Sequence, residues 1–140
     1  MAAHIVTYRH HCEDPAARPA PHALIVETRP EFVHAAAERA IAKRHGHGVY
    51  VVADVLPVPA VGDTVTWEAY GPYGSRHDVK GVLREIGPEQ DAVGGGRFRF
   101  VKVEPVDPPE QLAEWYVGRT LTMAQAYARP VLEPAPAATT

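Results

Sequence analysis

Five side chains able to ligate or to move protons stand in a row at His10, His11, Cys12, Glu13 and Asp14, and His22 follows close behind. Imidazole, thiolate and carboxylate are the ligands zinc takes. Their spacing argues against a site. In an extended chain successive side chains alternate, so His10 and Cys12 share a face while His11 points away. The chain has no C-x-x-C or H-x3-H pair to strengthen the pattern. The expectation is a solvated polar loop with a free thiol, without metal or cofactor. A thiol nucleophile at Cys12 would have to find its base elsewhere in the fold.

Other reactive pairs have structural readings. His45-Gly46-His47-Gly48 follows a helical stretch, where cationic residues offset the helix dipole and a glycine caps the end. Phosphate-binding glycines stand instead between a strand and the helix after it. Ser75, the only serine, has His77 two residues on but lacks a G-x-S-x-G elbow.

The segment Tyr70-Gly-Pro-Tyr73-Gly-Ser-Arg76-His77, entered from Trp67, is the best candidate for function. Loops on a rigid sheet carry binding surfaces, and Tyr, Trp and Arg are the residues that anchor interfaces. The binding residues predicted on this basis are Trp67, Tyr70, Tyr73, Arg76 and His77.

A second stretch, Gly94-Gly-Gly-Arg97-Phe98-Arg99-Phe100-Val101-Lys102-Val103, alternates basic and aromatic residues. It loosely resembles the RNP1 strand of RNA-recognition motifs at Phe98, Phe100 and Val101. The resemblance implies bases stacked on the aromatics and phosphates on the basic side chains. Arg97 and Arg99 replace the motif's small residues. The favoured expectation is an ordinary amphipathic strand with both phenylalanines inward. Val61-Gly62-Asp63-Thr64-Val65-Thr66-Trp67, with Gly81 to Ile86 later, resembles the outgoing and returning strands of small β-barrels of the PUA/ASCH-like or SH3-like kind. Those families mostly bind nucleic acid or protein. A nucleic-acid surface on such a barrel would use Lys80, Arg84, Arg97, Arg99 and Lys102.

These candidates need elements to position them. His4–Arg9 and Ala23–Glu27 read as short strands rich in β-formers. Thr28-Arg29-Pro30-Glu31 has the form of a capping box, followed by an apolar stripe at Val33, Ala37 and Ile41 and basic residues at the end. Val49–Leu56 reads as a central strand covered on both faces. Period-two alternation predicts a strand at Thr64–Tyr70, with further strands at Asp78–Ile86 and Arg97–Val103 and a glycine-rich loop at 87–96. Asp107-Pro108-Pro109-Glu110 opens a second helix whose stripe is Leu112, Trp115, Tyr116, Met123 and Tyr127, stopped by Pro130. The predicted fold class is α+β: a mostly antiparallel, twisted or partly rolled sheet of about six strands with two helices, and a C-terminal half like a small barrel. Residues 1–130 form one domain and 131–140 a Pro/Ala-rich disordered tail.

Composition narrows the partners. The chain has 140 residues, net charge −3, one Cys and 46% hydrophobic residues, which suits one globular domain without disulfides. Residues 76–103 are the one net-basic segment, with six basic and four acidic residues, so the stripe of a dedicated duplex binder is missing. No signal peptide or bilayer-length apolar run is read, which predicts a cytoplasmic location, or a virion if phage-encoded. Eleven Arg against three Lys, no Asn and abundant Ala, Pro and Gly point to a high-GC genome, an actinobacterium or its phage.

Three functional expectations follow: a non-enzymatic binding or assembly module that contacts a protein partner, or itself, through the 70–77 tip; a nucleic-acid-binding small barrel; and a small metal- or thiol-dependent enzyme.

Overall fold

The computed structural model describes residues 2–16, 20–46, 48–92, 96–116 and 118–131. The tail beyond Val131, His47 and the glycines at 94 and 95 lie outside them. The fold is α+β, with two antiparallel sheets of three and five strands and two helices.

The first sheet has the order β2-β1-β3, from β1 (Ala2–His10), β2 (His22–Thr28) and β3 (Tyr50–Pro57). Because β2 and β3 each run antiparallel to β1, they are parallel to one another, and α1 (Val33–His45) crosses over β1 to join them. The apolar stripe of α1 buries Val33, Ala37 and Ile41 on Val6, Tyr8, Leu24 and Val26. The opposite face of β1, with Ile5 and Thr7, is also buried. The central strand is thus β1. The apolar run at 50–57 lies at the edge, leaving Val51 and Val55 exposed, which corrects its expected central place. The capping box is also corrected. Thr28 is still paired with Ala2, and a 3-10 turn at Pro30–Phe32 precedes the helix without a side-chain cap.

The second sheet has the order β7-β6-β5-β4-β8, from β4 (Thr64–Tyr70), β5 (Arg76–Asp91), β6 (Arg97–Val106), β7 (Leu121–Ala124) and β8 (Arg129–Pro130). Its core is Val65, Trp67, Val79, Leu83, Val101 and Val103, covered by Leu112 of α2 (Glu110–Tyr116). The two outer strands are joined through Gln125–Ala128 alone, so the sheet curls without closing into a barrel. A flat five-stranded sheet spans about 19 Å, which such a link, partly wound as a 3-10 turn, does not reach. The turn at 125–127 touches β2 and β8 touches β3, which joins the two sheets.

Three local expectations fail for physical reasons. The second helix stops at Tyr116, and Gly118 with φ +72 turns the chain into β7, so Met123 and Tyr127 belong to a strand and a 3-10 turn. The start of the expected 87–96 loop is strand, since β5 runs on to Asp91, and the register shift between Ile86 and Glu89 absorbs Gly87-Pro88 as a bulge. On β6 it is Val101 and Val103 that point inward. Alternation therefore puts Phe98 and Phe100 on the other face, edge to face at 4.8 Å, with Phe100 exposed.

Candidate functional site

Two clusters stand out. The first is the end of the β4–β5 hairpin. Tyr70 pairs with Arg76, and Gly71–Ser75 close the loop. Gly71 N–H donates to Ser75 O at 2.7 Å and Ser75 N–H donates to Pro72 O at 3.3 Å. Tyr73 (φ 62) and Gly74 (φ 72) are the central residues of this inner turn. Positive φ at both positions is the type I′ signature, which fits the twist of the flanking strands and favours Asn-Gly. A chain without Asn has Tyr there.

Side chains brace the turn. Ser75 Oγ donates to Pro72 O at 3.0 Å and lies 2.9 Å from His77 Nε2. A Cβ on Gly71 would stand 2.8 Å from Ser75 Oγ. Arg76 is ion-paired with Glu68. Tyr73 is 107% exposed and Tyr70 67%. Of the residues predicted for binding, Tyr70, Tyr73, Arg76 and His77 are brought together here. Trp67 is buried beneath them, its ring above Gly81, and supports the strand rather than the surface.

The second cluster lies where β1, β2, β3 and α1 end together. Strict alternation along β3 would place Tyr50 on the face of Asp54 and Thr7. A bulge between Thr7 and Tyr8 leaves Ala53 unpaired and switches Val52 and Tyr50 to the Tyr8 face. Thr7 Oγ1 accepts the Asp54 N–H at this bulge, 3.1 Å. Tyr8 then stacks on His22 (5.3 Å between centroids), and the His45 ring lies tilted against Tyr50 (4.3 Å, 34° between planes). Glu13 Oε1 accepts the His10 N–H at 2.7 Å and lies 3.2 Å from His22 Nε2.

Electrostatics order this cluster. Burial raises the Tyr8 pKa, opposed by a hydrogen bond and charge from Arg44. The Tyr8 hydroxyl is 2.9 Å from His45 Nε2. Desolvation, then the charges of Arg44 and His22, hold the His45 pKa below its usual value. The Glu13 carboxyl is held low, first by the His10 N–H and then by His22.

The sign follows from linkage. A histidine depressed in the fold binds fewer protons than in the unfolded chain. Its contribution is full above about pH 6.5 and is lost as pH falls through the folded value. Glu13 acts the same way at lower pH, since its stabilisation is present above its unfolded value and lost below the folded one. The urea midpoint is therefore expected to fall on acidification below pH 6.5, and His45→Gln to flatten the first part of that fall. Parallel profiles for the two proteins would show that His45 is not responsible. Tyr8→Phe, which removes one buried hydroxyl whose partners lie at the surface, is expected to cost about 1 kcal/mol in the same titration.

The His10–Cys12 expectation needs correction. β1 ends at His10 and the chain turns there, Glu13 N–H donating to His10 O at 2.9 Å. The alternation rule no longer applies, and His11 stacks on His10 with centroids 4.4 Å apart. The ligand atoms of His10, His11 and Cys12 all lie within 4.8 Å of one another. The strand predicted to end at Arg9 ends at His10, and strand alternation does not extend into the turn that follows.

The residues predicted for a nucleic-acid surface are engaged with one another's strands. Arg84 pairs with Glu104 at 2.7 Å, Arg97 with Glu89 at 3.1 Å, and Lys102 with Glu85 at 3.3 Å. Arg99 donates to Gly87 O at 2.9 Å, and Lys80 is exposed opposite Val106. A cleft of about 820 Å³ between α1, β2 and this hairpin carries Lys43, Arg44 and Arg97 against Glu27, Glu89 and Asp91.

Together these observations define an α+β protein of two antiparallel sheets with an exposed, braced hairpin tip and a histidine-rich strand end. No family model, no curated protein and no solved structure matches the chain.

Proposed function

We propose that the protein is a non-enzymatic binding or assembly module that docks on a protein partner through the Tyr70–His77 tip. One observation carries this reading. Tyr73 occupies a left-handed backbone position unfavourable to its side chain, and its ring rests on nothing in the fold. Strain of this kind, about 1–3 kcal/mol, collects where function needs it. The complementary surface is a protein slot with apolar walls that takes the ring and an acceptor that takes its hydroxyl.

The test is a photo-crosslinking amino acid at position 73 and, as control, at Arg39 on α1, expressed in a host of the type the composition suggests. One protein adduct, the partner or a second copy of the chain, is expected from position 73 only. Equal labelling from both positions, or none from 73, overturns the reading. A cytoplasmic or virion setting remains part of the proposal.

The nucleic-acid reading draws support from the exposed Phe100 ring, set against the half-buried Phe98, but must break the ion pairs just described. The expected result is flat fluorescence anisotropy with labelled single-stranded DNA or RNA at low salt. Binding that falls steeply with added salt would favour the alternative.

A further inference from the structure

We propose that His10, His11 and Cys12 form a surface site for a divalent transition-metal ion of the zinc class. The inference concerns a different end of the molecule from the docking tip and does not depend on it.

The turn at the end of β1 is fixed by backbone bonds independent of any ligand. His11 N–H donates to Val49 O at 3.0 Å, and Glu13 N–H to His10 O at 2.9 Å. His11 also donates from Nδ1 to Val49 O at 3.0 Å. That bond settles its tautomer, because a carbonyl only accepts, and leaves the Nε2 lone pair available. An imidazole oriented by a carbonyl on its other nitrogen is the usual arrangement of a metal-ligating histidine. On His10, Nδ1 accepts the Cys12 N–H at 3.1 Å, so its lone pair already points toward the residue that carries the thiol.

Two imidazoles and a thiolate suit Zn²⁺ and its neighbours rather than Mg²⁺ or Ca²⁺. Tetrahedral zinc, with Zn–N of about 2.0 Å and Zn–S of about 2.3 Å, needs donor atoms roughly 3.3–3.6 Å apart. One ring nitrogen from each histidine and the Cys12 Sγ lie within 4.8 Å of one another, and Cys12 is exposed, so rotation of its side chain brings the thiolate to the imidazoles while His11 keeps its bond to Val49 O. Binding exchanges the thiol proton for the metal. One proton leaves Cys12, the cation gains a Zn–S bond and two Zn–N bonds, and the Cys12 N–H releases His10 Nδ1. Water completes the fourth position. Glu13 stays with the His10 N–H and His22.

The experiment titrates the full chain, kept reduced with a phosphine, with Co²⁺ as the spectroscopic stand-in for Zn²⁺. The expected result is saturation at one equivalent, with a thiolate-to-cobalt charge-transfer band that Zn²⁺ abolishes. Cys12→Ser is expected to remove the band and His11→Ala to weaken binding by at least about tenfold, whereas His34→Ala on α1 leaves it unchanged. In the unmutated chain Zn²⁺ should slow alkylation of Cys12, a readout that needs no variant to fold. Overturning results are a cobalt spectrum without the thiolate band, a His11→Ala titration like wild type, or undiminished alkylation. Saturation at half an equivalent, which marks an ion shared by two chains, also overturns the single-chain site.

Discussion

Tyr73→Asn is expected to stabilise the fold by about 1 kcal/mol and to weaken partner binding at least about 30-fold. Both effects come from one backbone angle. At φ 62, ahead of Gly74 at φ 72, residue 73 occupies a type I′ position. There a bulky side chain costs about 1–2 kcal/mol and Asn considerably less. The ring is fully exposed, so its removal takes no contact from the folded state. An aromatic anchor lost from the centre of an interface costs about 2 kcal/mol or more, the 30-fold stated. Urea unfolding and calorimetric titration against the crosslinked partner measure the two quantities. Lower stability would mean that the fold holds the ring, and retained affinity that the tip is not the contact. Gains in stability that cost activity are the common sign of a functional strain.

Gly81→Ala is expected to destabilise the protein by about 3 kcal/mol and to lower Tm by about 10 °C. The position lies under the Trp67 ring and beside β6. An added methyl would stand 2.5 Å from Glu104 O, 2.7 Å from Trp67 Cη2 and 2.8 Å from Trp67 Cζ3. Protein interiors tolerate none of these approaches without movement. Trp67→Leu in the same chain should restore only part of the loss, since the Glu104 carbonyl belongs to the backbone and remains. Differential scanning calorimetry of the two single variants and the pair gives the coupling directly. A loss below about 0.5 kcal/mol for Gly81→Ala would contradict the close stacking of Trp67 on β5.

How far the fold could be read ahead of the structure depends on what each segment's periodicity was answering to. The stripe Val33, Ala37, Ile41 answers to one sheet face and was plain. So was the period-two alternation that marks β4 over Thr64–Tyr70. The apolar run at 50–57 misled because hydrophobicity reports burial but not place in the strand order. Leu112 to Tyr127 misled because its helical spacing continues past Gly118, whose positive φ redirects the chain. The strand-end cluster was the least legible. It depends on the Ala53 bulge, which moves Tyr50 across the sheet and which no residue type announces, and on the side-chain directions within the turn after β1, which strand alternation does not give. The hairpin tip was legible from its glycines and proline, although the burial of Trp67 was not.

The late pairing of β8 has a consequence for biosynthesis. Val65 meets Pro130 and Thr66 meets Arg129, partners separated by nearly half the chain. On the ribosome β4 must emerge and wait, one side unmatched, until Arg129 and Pro130 leave the exit tunnel. Contacts so distant along the chain slow folding, and an unmatched strand margin invites association with other nascent chains. Nascent chains arrested before Arg129 should therefore depend on chaperones more than chains released at full length.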